Sequence, residues 1–212
     1  MTRFSRDFIF GSATSSYQIE GAYKEDGRSL SIWDTFSRTP GKVFNMDNGD
    51  IACDHYHLYE KDVEILKTLG VDSYRFSIAW PRIFPEQGKY NEAGMNFYKK
   101  LITLLNENGI KPAVTLYHWD LPMWAHEKGG WTNRESVDWF MEYAEKCFEE
   151  LDEHVEMWIT HNEPWCAGFL GYHQGVHAPG HTNMEEALKA VHHMRLSHGE
   201  AVSLLKGRFA ST

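Results

Sequence analysis

The segment Thr160-His161-Asn162-Glu163-Pro164 sets a glutamate at the end of an apolar run, between an asparagine and a proline, with Trp165 following. A carboxyl group held in this way is suited to protonating a leaving group. The same letters also suit a helix-initiating turn, so Glu163 alone decides nothing. Its company carries more weight. Gln18 follows the first apolar run, Arg75 lies on the second, His118, Trp119 and Asp120 follow the third, and Asn162 and Glu163 follow the fourth. A lone arginine such as Arg75 is more often an ion-pair member than a catalyst. Four runs delivering polar side chains to their carboxyl ends nevertheless predict a ligand site. Aromatic residues make up 14% of the chain, and several adjoin polar or turn residues in loops: Trp119 after His118, Trp131 after two glycines, Trp165 after Glu-Pro. Flat rings among hydrogen-bonding groups suit a sugar, with its apolar faces and rim of hydroxyls; the other reading of these aromatics is that they fill a large core.

The elements that must position these residues alternate between short apolar runs and amphipathic stretches, the pattern of βα units building a parallel sheet. Strands are predicted at Phe8–Ser12, Ser73–Ala79, Lys111–Tyr117 and Val155–Thr160. Helices are predicted from about Asp54 to Leu69, Glu92 to Glu107, Asn133 to Leu151 and Asn183 to Lys206, with Gly70, Gly109 and Gly207 as stops and Asn133 as an N-cap. No flexible linker interrupts the pattern, so residues 1–212 read as one architectural piece. Four such units fit either an open doubly wound sheet or part of a (β/α)8 barrel. The first βα turn, Gly-Ser-Ala-Thr-Ser-Ser-Tyr, lacks GxGxxG, and no GxxxxGK[ST] occurs anywhere, which removes the nucleotide-binding reading and leaves the half barrel.

Composition narrows the partners. Lys and Arg number 21 against 30 Asp and Glu, for a net charge of −9, and the basic residues are scattered, so nucleic acid is not an expected partner. No apolar run approaches the length of a membrane span and Met1 to Phe10 lacks the pattern of a secretory leader, so the expected setting is cytoplasmic, with no membrane partner. Cys53, Cys147 and Cys166 are far apart and are expected to be reduced and buried. His55 and His57 fall on different helix faces, and His173, His177 and His181 fall around Gly171, Gly175 and Pro179, where no helix is expected. No metal site is therefore anticipated.

The strings Ser15-Ser16-Tyr17-Gln18-Ile19-Glu20-Gly21, Ser31-Ile32-Trp33-Asp34-Thr35-Phe36, Asp54-His55-Tyr56, Tyr74-Arg75-Phe76-Ser77-Ile78-Ala79-Trp80, Leu116-Tyr117-His118-Trp119-Asp120-Leu121-Pro122, Thr160-His161-Asn162-Glu163-Pro164 and Gly175-Val176-His177-Ala178-Pro179-Gly180 closely resemble family 1 of the glycoside hydrolases, the β-glucosidase family. The resemblance runs in order along essentially the whole chain. It implies a (β/α)8 barrel and retaining hydrolysis of β-glycosides without cofactor or metal. It implies further that Glu163 is the general acid/base, that Asn162 binds the 2-hydroxyl, that His118, Trp119 and Gln18 contact the glycone, and that Arg75 keeps the nucleophile ionised.

The chain departs from the family pattern in one respect. The family's nucleophile is a glutamate in a Glu-Asn-Gly motif near the end of strand seven, whereas this chain reads through four βα units. Glu107-Asn108-Gly109 has those letters but ends the second helix, on the amino side of the sheet, and is read as a helix cap. Asp120 and Glu20, the other acids near the site, are expected to hold loops. The expectation is a half barrel carrying the acid/base without the nucleophile, which pairs with a complementary carboxy-terminal half, self-associates, or is a truncated fragment of a longer protein. The alternative is an inactive half barrel serving as an assembly or sugar-binding module.

Overall fold

The structure, a computed structural model, describes residues 4–209. Four strands, β1 (Gly11–Ala13), β2 (Ser73–Ser77), β3 (Lys111–Tyr117) and β4 (Met157–His161), form one sheet in the order β1-β2-β3-β4, every pair parallel. Long helices follow each strand: α1 (His55–Leu69), α2 (Glu92–Glu107), α3 (Ser136–Leu151) and α4 (Met184–Leu204). A strand order that never reverses, with the right-handed crossovers general to parallel strands, keeps the helices on one face. This is the winding of a barrel and not of a doubly wound sheet.

The helix-facing side of the sheet carries Tyr74 and Phe76, whose rings lie 5.6 Å apart, with Phe76 stacked 6.5 Å from Tyr98 of α2. Helix α2 meets it with Met95, Tyr98, Leu101, Ile102 and Leu105, an apolar stripe at helical spacing. Behind β3, Trp80 stacks on Tyr143 of α3 at 5.0 Å, and the Tyr143 hydroxyl donates to the Leu116 carbonyl at 2.8 Å. These contacts fix the height at which β2 and β3 end, and with it the placement of the loops that leave them. The opposite face alternates with the first. Ala13, Arg75, Ala113 and Met157 are linked by register, and Met157 is 54% exposed. Among the described residues the outer edges of β1 and β4 pair with no strand. Unpaired edges template further pairing. The isolated chain is therefore expected to show a mass on light scattering that rises with concentration, and a monomer at every concentration would contradict this.

The element boundaries differ from the sequence reading in instructive ways. The first strand lies at Gly11–Ala13, later than the predicted Phe8–Ser12, and Phe4, Phe8 and Phe10 form an exposed aromatic cluster before it. Helix α3 begins at Ser136: Asn133 accepts from the Glu135 backbone N–H at 3.0 Å, making a turn ahead of the helix instead of capping it. Gly207 does not stop the last helix but lies within a widened helical turn, Leu205–Phe209. A second such turn covers Cys166–His173, where Gly171 argues against a helix in the sequence. The glycines there serve close approach: a Cβ on Gly168 would meet Val191 at 2.3 Å, and one on Gly171 would meet the Ala178 carbonyl oxygen at 2.5 Å. Glu107-Asn108-Gly109 ends α2 as expected, with Gly109 in the left-handed region at φ +72°.

The cysteines are free, but Cys53 is exposed and Cys166 half-buried, against the expectation of three buried thiols; only Cys147 is fully buried, and burial pushes its thiol far up. An aromatic disulfide reagent is expected to titrate Cys53 first and Cys147 only on unfolding. Rapid reaction of all three in the native protein would contradict this.

Candidate active site

The six residues to which the family resemblance gives roles line one open cavity of about 290 Å³ at the carboxyl ends of the strands, Gln18, Arg75, His118, Trp119, Asn162 and Glu163, with Ala13 and Thr14 completing the wall; Asp120 does not line it. Each strand contributes. Gln18 stands on the helical turn Ser16–Ile19 just after β1, Arg75 is on β2, His118 and Trp119 leave β3, and Asn162 and Glu163 leave β4.

Arg75 organises the floor. Its Nε donates to the Thr115 hydroxyl at 3.0 Å and one terminal nitrogen donates to Asn162 Oδ1 at 2.7 Å. Among the described residues no carboxylate lies within 4.0 Å of it, although the chain's other half-buried and buried arginines, Arg28, Arg38 and Arg82, all have one. A guanidinium held by two neutral acceptors in a cavity retains its charge and most of its donors for a further partner. The same bond orients Asn162, whose amide nitrogen has no acceptor among the described residues. Asn162 is pinned at its backbone too, its N–H donating to the Tyr117 carbonyl at 2.9 Å and its carbonyl accepting from the Trp119 indole N–H at 3.0 Å.

Two residues of the site hold a backbone conformation that side chains disfavour, Trp119 at φ +73° and Glu163 at φ +45°. Such strain persists where surrounding contacts over-determine it, and it gathers at working sites. Glu163 is exposed to the cavity mouth, with Pro164 fixing the chain after it. Cys166 lies beside its carboxylate, where burial first and Glu163 second push the thiol up; His177, which burial pushes down, feels the same carboxylate in the opposite sense. Burial and, second, the charge of Arg75 push His118 down to about 4, so the imidazole is neutral at pH 7 and can both donate to and accept from a hydroxyl.

The other two acids are committed elsewhere. Glu20 is buried between Arg82, at 3.1 Å, and the Tyr98 hydroxyl, at 2.6 Å. Asp120 is fully buried and accepts from the Ser16 hydroxyl at 2.7 Å. Burial pushes Asp120 up to about 7 from an ordinary 3.8, and Glu20 adds to this, while the Ser16 hydrogen bond and Arg28 pull the other way. A carboxyl whose folded value is raised contributes stability that is present below its unfolded value and is lost as pH rises through the folded one. Melting temperature is therefore expected to fall between about pH 4 and 7 relative to that of Asp120→Asn, and parallel curves for the two proteins would contradict the assignment.

Sequence reasoning did not assign roles to Trp33, Tyr17 and His177. A second hollow of about 380 Å³ shares Gln18, His118 and Trp119 with the first and extends to Tyr17, Trp33, Val43 and Asn48. The His177 ring bridges Trp33 and Trp119, at 5.5 and 5.2 Å between centroids. A tryptophan in a loop without periodic apolar neighbours was the available signal for Trp33. Among the described residues no three His, Cys, Asp or Glu converge as a metal-binding group, and no helix is long and apolar enough to cross a membrane.

The model of the family described as glycosyl hydrolase family 1 matches residues 1–211. The chain belongs to that family. Family 1 relatives include beta-glucosidase A of Acetivibrio thermocellus, 56% identical over 204 residues that cover 96% of this chain and 46% of the relative. Among solved structures, the beta-glucosidase of Exiguobacterium antarcticum superposes with a TM-score of 0.98 at 69% identity, covering 100% of this chain and 47% of that one. The family 1 β-glucosidase of Thermotoga maritima gives 0.96 at 50% identity, covering 98% and 47%. The chain thus spans about half the length of the family 1 relatives it matches, and its four-stranded sheet is a partial (β/α)8 barrel.

Proposed function

We propose that this chain is the acid/base-bearing half of a retaining β-glucosidase, completed by a carboxy-terminal half that closes the barrel between β4 and β1. The observation that carries the reading is a cavity lined by a single carboxylate, Glu163, together with a guanidinium, Arg75, that has no carboxylate partner among the described residues. Retaining hydrolysis needs two carboxyl groups about 5 to 5.5 Å apart, one protonated to release the leaving oxygen and one ionised to attack the anomeric carbon. Glu163 serves as the first. Arg75 is the seat for the second, because a neighbouring cation lowers a carboxyl's pKa and keeps it a nucleophile. Asn162 holds the hydroxyl next to the reacting carbon, and Gln18, His118 and Trp119 hold the far side of the glycone. The names of the relatives, β-glucosidases in all three cases, support a β-glucoside as substrate. No cofactor or metal takes part in this scheme.

The test is complementation. The chain is assayed against 4-nitrophenyl β-glucoside alone and mixed with the carboxy-terminal half of the Exiguobacterium relative. Turnover on mixing only is the expected result. Full turnover by this chain alone would mean that a second carboxylate within it serves as nucleophile and would overturn the division of labour.

A further inference from the structure

We infer that a buried chain of hydrogen bonds, Ser77–Ser16–Asp120, positions Gln18, His118 and Trp119 and thereby sets how strongly the assembled enzyme discriminates between glycones; the inference rests on the β-glucosidase reading. The three residues come from three different strand ends. The Ser16 backbone N–H donates to the Ser77 hydroxyl at 2.7 Å, the Ser77 hydroxyl donates to Ser16 Oγ at 3.0 Å, and the Ser16 hydroxyl donates to Asp120 Oδ2 at 2.7 Å. All three side chains are buried, Asp120 completely.

None of them lines the cavity, so they act through their neighbours. Ser16 opens the helical turn that carries Gln18 two residues later. Asp120 directly follows Trp119, whose left-handed backbone needs support from both sides. That support comes from the indole bond to the Asn162 carbonyl on one side and from Asp120 on the other. Ser77 ends β2, two residues beyond the Arg75 that grips Asn162. The relay therefore ties the glycone-facing residues of β1 and β3 to the strand bearing Arg75.

The composition of the relay fits positioning better than stability. Among the described residues Asp120 has no cationic partner within 4.0 Å, and its second oxygen is buried with no hydrogen bond to another residue. A buried carboxyl of this kind is costly to the fold, and an apolar side chain of similar volume would fill the space with less penalty. The chain keeps instead a short, directional acceptor, which fixes where two loops sit relative to each other.

The experiment uses the assembled enzyme, this chain with its complementary half, and reads the ratio of kcat/KM on 4-nitrophenyl β-glucoside to that on 4-nitrophenyl β-galactoside, its 4-epimer. That ratio is independent of how much protein is folded, so a purely structural loss leaves it unchanged. Ser16→Ala and Asp120→Ala are expected to change the ratio by about two- to tenfold, the range set by one misplaced hydrogen bond. Asp120→Asn, which still offers an oxygen to Ser16, is expected to keep most of it. Ser77→Ala supplies a third link should either alanine variant fail to assemble. An unchanged ratio in the variants, with an active parent, would overturn the inference and leave the β-glucosidase reading standing. A parent pair inert on both substrates would overturn that reading and the inference with it.

Discussion

Replacing Glu163 with glutamine in the assembled enzyme is expected to lower kcat on an alkyl β-glucoside by about 10²- to 10⁴-fold, the usual worth of a positioned proton donor. The loss on cleaving the bond to 2,4-dinitrophenol, measured as kcat/KM, is expected to be far smaller. The reason lies in the leaving group. An alkoxide needs a proton as the bond breaks, whereas dinitrophenolate departs as a stable anion. Glu163 is exposed at the cavity mouth beside His177 and Cys166, so a glutamine of the same shape fits without disturbing the β4 turn. Azide is expected to restore turnover by attacking the glycosyl-enzyme without a general base. Equal losses on the two substrates would remove Glu163 from the proton-transfer role.

The second large effect is expected from Arg75→Met. The variant keeps a long apolar stem but loses the charge and both hydrogen bonds, to Thr115 and Asn162. A cation stabilises a nearby carboxylate, so its removal raises the nucleophile's pKa, and the ionised fraction at any acidic pH falls. The acid limb of the kcat/KM profile should move upward by about one to three pH units. The limb is assigned to the nucleophile, but Arg75 also presses His118 downward and its loss relaxes that residue in the same direction. Repeating the Arg75→Met comparison in a His118→Asn background separates the two, since only a shift that survives there reports the nucleophile. Arg75→Lys retains charge without the forked geometry, and is expected to restore the limb more fully than it restores the rate. An acid limb that stays in place in Arg75→Met would mean that the guanidinium serves only to orient Asn162.

The site was more legible in the sequence than the elements around it, for a physical reason. His118, Trp119, Asn162 and Glu163 directly follow β3 and β4, where β-branched and aromatic runs give way to polar residues, whereas Arg75 lies within β2 and Gln18 on the turn after β1, and those two were given their roles by the family resemblance. All six line one cavity. Strand interiors β2 and β3 were equally plain, because alternation between Tyr74, Phe76 and Arg75 encodes two faces. The first strand was misplaced because Phe8-Ile9-Phe10 has the hydrophobicity of a strand but is spent on an exposed aromatic cluster. The widened turn Cys166–His173 was missed because a glycine reads locally as a helix breaker, whereas Gly168 and Gly171 are fixed by Val191 and Ala178, neighbours that only the tertiary fold supplies. The buried relay through Ser16, Ser77 and Asp120 was invisible for the same reason, since its members lie 61 and 104 residues apart.

The central claim is that proton transfer resides in this chain and covalent catalysis in its complement. The most direct measurement incubates the mixed halves with 2-deoxy-2-fluoro-β-glucosyl fluoride, whose good leaving group forms the glycosyl-enzyme and whose fluorine slows its breakdown, and weighs each polypeptide by mass spectrometry. One fluoroglucosyl group on the carboxy-terminal half, with this chain unlabelled, is the result the account predicts. A fluoroglucosyl group on this chain, at Glu163, Asp120, Glu20 or any other carboxylate, would contradict it.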